Sequence, residues 1–173
     1  AQAALGIRHL VAALRLARFA TSNEVTDWFN PQHTFVYCNG VYQAVARAPT
    51  PDVVRGIFHG AMSVYMDRYL NVPPARLPGE RRTRDDLPDT VDALRKTLLT
   101  ELDQRANVER VADIVSHYVA LELPFAPLID MLTFATVRED LDFHSLQVLE
   151  AGVNQCRAWQ PVGGSQREHI LVG

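Results

Sequence analysis

The chain has 173 residues, of which 47% are hydrophobic, and it carries a formal net charge of -3 at pH 7. This length and composition suit one compact domain, residues 1–173, that buries roughly 70% of the surface its unfolded chain would expose. The weak acidic balance excludes the broad basic surface typical of nucleic-acid binding, and the absence of an apolar stretch of about 18 residues excludes a membrane span.

Helical periodicity governs the first half of the chain. Apolar residues recur at helical spacing across residues 5–19, which predicts an amphipathic first helix. A short second helix is expected at 24–29. Pro31 is predicted to open a third helix that reaches about residue 47, because proline favours the first helical turn.

The boundary of the fourth predicted helix is marked by two adjacent residues. Thr50 has the side chain of a good N-cap and Pro51 suits a first turn, so this helix is expected to run from there to about residue 70. Two adjacent prolines follow, and they remove backbone donors and favour extended geometry. One long, Pro-rich irregular connection is therefore predicted over residues 71–88.

The second half of the chain is also helical in pattern. Four further helices and a terminal helical piece are predicted, at residues 88–104, 107–121, 127–134, 139–159 and 166–172. Alternating strand patterns are scarce. The sequence therefore predicts an all-α fold, a multi-helix bundle of about eight helices.

Four glycines fall inside these helical patterns: Gly40, Gly56, Gly60 and Gly152. Each should cost about 1 kcal/mol relative to alanine, so some compensation is expected. Close approach of a neighbouring helix is the usual compensation, and a helix kink is the alternative.

The two cysteines, Cys38 and Cys156, show neither CxxC nor CxH spacing. Their separation argues against a zinc ribbon, a Rieske cluster or a thioredoxin-like motif within this stretch. Reduced thiols in a cytoplasmic protein are the simplest interpretation. The chain also lacks an initiator Met, and we expect it to be a processed product or a piece of a longer polypeptide.

Histidines on four predicted helices form the candidate site. The segments Asp113-Ile-Val-Ser-His117 and Asp140-Leu-Asp-Phe-His144 each place a carboxylate four residues before an imidazole, a spacing that puts both side chains on one helix face. His33 and His59 lie in two other predicted helices. Helical bundles build cofactor sites from inward-facing carboxylates and imidazoles, so the four histidines are predicted to converge in the interior.

A metal ion is the first chemistry that this convergence indicates. The predicted ligands are His33, His59, Asp113, His117, Glu139, Asp140 and His144, with Asp67 as a further supporting acid. Nitrogen and oxygen ligands of this kind suit iron, manganese or zinc. The spacing departs from the Glu-x-x-His pattern of di-iron bundles, however, and a purely structural role for the histidines is the alternative.

Two other chemistries use the same residues. Haem needs one axial histidine in an apolar pocket, and His59 has Phe58, Met62 and Tyr65 as neighbours in the sequence. Without any metal, a histidine oriented by a carboxylate one turn away suits general acid or base catalysis.

Two stretches carry a further signal: Phe58-His-Gly-Ala-Met-Ser-Val-Tyr-Met-Asp-Arg-Tyr-Leu-Asn-Val-Pro-Pro-Ala-Arg-Leu-Pro78 and Arg138-Glu-Asp-Leu-Asp-Phe-His-Ser-Leu-Gln147. They resemble helical domains of bacterial proteins that also carry a Rieske-type iron-sulfur module. The resemblance implies a redox setting with an iron-sulfur protein as partner. The cluster-binding cysteine and histidine pattern is missing from this sequence, so any such cluster belongs outside these residues.

A protein-interaction or assembly module explains the same helices without chemistry. Amphipathic faces and Pro-rich turns suit a scaffold or a dimerising domain, and Trp28 and Trp159 are candidate anchors for a partner, with core packing as the alternative. Two functions therefore stay open at this point. One is a metal-dependent, iron-type oxidoreductase or redox accessory protein; the other is a non-enzymatic interaction module, for example a homo-oligomer, with structural histidines.

Overall fold

The computed structural model describes residues 11–20, 22–70, 73–77, 86–104, 108–138 and 143–159, together with residue 170. Regular secondary structure within these ranges is α-helical, which confirms the all-α class. The described part of the chain contains seven helices, close to the eight or so expected. They are α1 (described at 11–17), α2 (Val25–Arg47), α3 (Pro51–Asp67), α4 (Val91–Asp103), α5 (Val108–Ala120), α6 (Phe125–Arg138) and α7 (Phe143–Trp159).

The second and third predicted helices are one continuous helix, α2, so the boundary predicted at Pro31 is wrong. Proline inside a helix removes one backbone hydrogen bond and crowds the preceding turn. Here Pro31 is almost completely buried, and Trp28 and Phe35 of the same helix pack in the core. Burial of these side chains offsets the local cost of the proline, which sequence propensity alone does not reveal.

The start of α3 is confirmed at the predicted residues. The hydroxyl of Thr50 accepts a hydrogen bond from the backbone N–H of Val53 at 3.3 Å, and Pro51 occupies the first turn. The seventh predicted helix, in contrast, begins earlier than expected, because Pro127 lies in the first turn of α6, where a missing N–H costs no intrahelical bond.

Helices α2 and α3 form a tightly packed antiparallel hairpin, and two glycines of α3 permit the close approach. A Cβ atom on Gly56 would lie 3.1 Å from Cγ2 of Val41, and one on Gly60 would lie 3.1 Å from Sγ of Cys38. The predicted close packing is thus confirmed at both positions. Gly40 has no neighbouring atom within 4 Å of such a Cβ, so this explanation does not apply to it.

Two hydrophobic cores hold the described helices together. The first core lies among α1, α2, α3 and α7, and its buried residues are Ala12, Ala13, Leu16, Phe35, Cys38, Val64, Ala151, Cys156 and Ile170. The second core lies among α4, α5 and α6, and its buried residues are Leu87, Leu94, Leu98, Ile114, Val115, Tyr118, Leu128 and Met131. Helix α6 also packs against α7, which connects the two halves.

The predicted Pro-rich connection is irregular where it is described, at residues 73–77 and 86–88. Leu77 and Leu87 are buried, and the backbone N–H of Ala75 donates to the carbonyl of Arg18 at 2.8 Å. Asp86 pairs with the Arg110 guanidinium of α5 at 2.7 Å. These contacts fasten both described parts of the connection to the helices.

None of the helices in the described ranges combines the length and the apolar character needed to cross a membrane. Both cysteines are buried and unbridged, in agreement with the predicted thiols.

Candidate functional site

Two of the four predicted histidines meet at the contact between α2 and α7. The ring centroids of His33 and His144 are 4.9 Å apart, with the rings edge to face. Phe29 stacks on His33 at a centroid distance of 6.2 Å, and the Phe143 ring lies 4.0 Å from that of His144. The four rings form a continuous row across the two helices.

Core packing brings this row together. Phe35 and Cys38 of α2 share the first core with Ala151 and Cys156 of α7, so the faces that carry the two histidines lie side by side. His33 remains exposed and His144 is half-buried. The pair therefore lies at the surface of the bundle, and the expectation that His33 lines the interior is wrong.

His117 belongs to a different environment, the second core. Its side chain is buried on α5, and Nε2 lies 3.0 Å from Oδ1 of Asp89, just before α4. Asp113, one turn earlier on α5, is also buried. This contact connects α5 to the residue just before the N-cap of α4.

His59 is exposed on α3, and so are the residues predicted to surround a haem. Phe58, Met62 and Tyr65 lie between 45% and 65% exposed. Helix α3 therefore does not place the His59 ring in an apolar pocket. The prediction that this histidine lies in the interior is wrong.

The predicted metal centre has two further members, Glu139 and Asp140, which lie outside the described residues. Among the residues that are described, no three His, Cys, Asp or Glu side chains are close enough to share a metal ion. A centre built from three or more of the predicted ligands thus stays a prediction.

Asp67, the supporting acid, is buried at the end of α3 and faces α2. Burial raises the pKa of its carboxyl above the ordinary value of 3.8, while a hydrogen bond with the Thr34 side chain and the charge of Arg15 oppose that rise. Its Oδ2 atom has no hydrogen-bond partner among the described residues. The Asp67 carboxyl of α3 therefore interacts with groups on α1 and α2, and burying its charge costs free energy.

An exposed apolar stripe along α3 and the turn that follows it is a surface feature that sequence reasoning missed. Five large side chains are each between 45% and 65% exposed: Phe58, Met62, Tyr65, Met66 and Tyr69. The spacing of four of them, at 58, 62, 65 and 69, alternates steps of four and three. This is the a/d spacing of helices that pack against another helix, and we call these five residues the α3 seam.

Arg68 organises the C-terminal end of the α3 seam. Its guanidinium lies over the Tyr65 ring at 3.8 Å and over the Tyr69 ring at 4.5 Å, and it donates to both tyrosine hydroxyls. The hydrogen bonds from Tyr65 and from Arg68 lower the pKa of Tyr69. Two large aromatic side chains are thereby held in fixed positions at the surface.

The sequence of α3 does contain a signal for the seam, which is missed when the helix is assumed to have one apolar face. Helix α3 is apolar on two sides, with Gly56, Gly60 and Val64 against α2 and the seam toward solvent. A helix in a small bundle needs only one apolar face, whereas α3 has two.

Comparison of the chain with protein-family models, with curated proteins and with solved structures gives no match.

Proposed function

We propose that this protein is an assembly module that pairs with a second copy of itself through the α3 seam. The observation that carries the proposal is the exposure of five large apolar side chains on one face of α3 and the turn that follows it, four of them at helix-packing spacing.

An antiparallel pairing of two α3 helices matches four of the five seam residues with one another. If the two-fold axis passes midway between Met62 and Tyr65, Phe58 of one copy faces Tyr69 of the other, and Met62 faces Tyr65. Each layer then combines an aromatic ring with a second ring or with a thioether, contacts that are favourable beyond simple burial. A two-fold interface of this kind is closed, because the same patch serves both copies.

The charges along α3 also fit this pairing. The one acid between residues 53 and 70, Asp67, is buried, so no carboxylate of that segment projects from the seam. The two copies of Arg68 would lie about 14 Å apart along the helix axes, at 1.5 Å per residue. Since this separation exceeds a Debye length of about 8 Å, their repulsion is largely screened at physiological salt.

The area of the seam is sufficient for a modest interface. A fully exposed aromatic side chain presents roughly 200 Å², so the five partly exposed residues present about 500 Å² per copy, or about 1,000 Å² in total. Complete burial of these side chains would therefore reach the lower limit of about 1,000 Å² for specific interfaces. Arg68 already orders Tyr65 and Tyr69, which reduces the entropy lost on pairing.

The test is sedimentation equilibrium of the chain over a concentration series, with Met62→Glu as the variant. Met62 lies next to the two-fold axis, so two carboxylates would be buried close together in the variant dimer. We expect the wild type to associate as a dimer, and the variant dimer to be weaker by about 100-fold or more.

The matched control is Val137→Glu on α6, a residue that is 68% exposed and outside the seam. It introduces the same charge at an apolar position of similar exposure, 68% against 58% for Met62, and should leave association unchanged. A wild type that stays monomeric throughout the series, or equal weakening by both variants, would contradict the proposal. Binding of a different protein to the same face would also contradict the proposal, because the partner would then not be a second copy of this chain.

The redox function is a second candidate, favoured by the contact between His33 and His144. In that case the chain is an iron-dependent oxidoreductase or an accessory of an iron-sulfur protein, in a cytoplasmic setting compatible with two unbridged thiols. Metal analysis and an absorption spectrum of protein purified without added metal test it. Stoichiometric iron supports this candidate, and iron-free protein with no visible absorption opposes it.

A further inference from the structure

We propose that His33 and His144 form a two-histidine site for a divalent transition-metal ion, which links α2 to α7. This inference is independent of the pairing through α3, because it concerns another face and other helices. The ion expected is of the zinc class, for which neutral imidazole is a preferred ligand.

The distance between the rings fits two ligands on one ion. A zinc–nitrogen bond is about 2.0–2.1 Å long, so an imidazole centroid lies about 3.2 Å from the metal. Two such ligands at a tetrahedral angle place their centroids about 5.2 Å apart. The centroids of His33 and His144 are separated by 4.9 Å, so ligation requires side-chain rotation but little movement of the helices.

The surroundings of the pair support a site that is accessible yet ordered. Phe29 contacts the His33 ring and Phe143 contacts the His144 ring, so each imidazole has an aromatic neighbour on its own helix. His33 is exposed, so an ion can reach the rings from solvent and complete its coordination with water. With two protein ligands, the ion would exchange more readily than one in a closed structural site.

A bound ion would therefore stabilise the contact between α2 and α7. An ion held by one residue of α2 and one of α7 binds the packed arrangement better than a state in which the helices separate. Binding to the folded state alone raises the melting temperature, and the rise grows with the free metal concentration.

The experiment titrates Zn²⁺ into the tag-free, chelator-treated chain and records binding by calorimetry and melting by circular dichroism. We expect one ion per chain and a higher melting temperature with Zn²⁺. His33→Phe and His144→Phe keep an aromatic ring in the row but remove the ligating nitrogen, and each should lower the affinity at least tenfold and abolish the thermal shift.

The control is His59→Phe, which removes an exposed histidine from α3 and should leave Zn²⁺ binding at this site unchanged. If His144→Phe reduces helicity, His144→Gln keeps a polar side chain and serves in its place. Wild-type affinity in either the His33 or the His144 variant overturns the shared site, as does a wild type that binds no Zn²⁺.

Discussion

At the scale of single residues, Asp67 shows how a buried acid couples stability to pH. Its folded-state pKa is raised, chiefly by burial, above the ordinary value of 3.8. The folded protein therefore holds this proton more tightly than the unfolded chain does. The free energy of unfolding should consequently fall as the pH rises from 3.8 through the folded-state pKa, and the ionised carboxylate is a net cost at neutral pH.

We accordingly expect Asp67→Asn to raise the melting temperature at pH 7, and we expect the gain to shrink as the pH approaches 3.8. Thermal unfolding of both proteins across that pH range measures the difference. Asp130→Asn changes an exposed acid of α6 and is the control for general charge effects. A variant that loses more stability at pH 7 than at pH 4 would show that the attraction to Arg15 outweighs burial.

The contact between His117 and Asp89 is a second test at this scale. The His117 side chain is 11% exposed and that of Asp89 is 75% exposed, so removing the acid leaves a mostly buried imidazole without this partner. We expect Asp89→Ala to lower the free energy of unfolding by about 1–3 kcal/mol in urea denaturation. Asp89→Asn, which keeps an acceptor oxygen, should recover part of the loss, whereas equal losses in Asp89→Ala and Asp130→Ala would refute the structural role.

At the scale of the helices, the α2–α3 hairpin separates two kinds of glycine. Gly60→Ala would press a Cβ against the sulfur of Cys38, which is buried in the core and has little room to move. We expect that variant to be destabilised by about 1–3 kcal/mol. Gly40→Ala meets open space in the middle of α2 and should stabilise by about 0.5–1 kcal/mol through helix propensity.

Urea denaturation of the two variants checks this contrast. Because both changes add the same methyl group to a helix, they differ mainly in what surrounds it. Equal stabilisation by Gly60→Ala and Gly40→Ala would mean that the hairpin can open enough to accept the methyl group, contrary to the tight packing described.

The helices also show which features local sequence determines and which it does not. The Thr50–Pro51 start of α3 is a local signal, because the cap uses a backbone N–H three residues away, and it was predictable. The continuity of α2 through Pro31 depends on burial against other helices, so the local rule failed there.

The candidate site likewise has some features that local sequence predicts and others that depend on tertiary contacts. The i, i+4 spacing of Asp113 and His117 predicts a shared face, but it cannot reveal that His117 contacts Asp89 from another segment. Of the four histidines predicted to converge in the interior, His33 and His144 come together, but at the surface, because α2 and α7 pack against each other. Residues 58–65 suggested a haem pocket by composition, and only tertiary structure distinguishes a pocket from an exposed face.

At the scale of the whole molecule, each of the two described cores holds one group of helices together. The α3 seam belongs to neither core. Exposed patches of several hundred Å² are at the upper end for proteins that function alone. A second copy covering the seam would give α3 two packed faces, one against α2 and one against its counterpart.

The register of that pairing is the most direct test of the account. Phe58→Cys and Tyr69→Cys chains, mixed and treated with a short bismaleimide, should give mixed cross-linked dimers, because antiparallel seams place these positions opposite each other. Either single variant alone should give few dimers, since its two cysteines would lie about 16 Å apart along the helix axes. Cross-linking of Phe58→Cys to itself, or no cross-linking in the mixture, would contradict the antiparallel α3 interface.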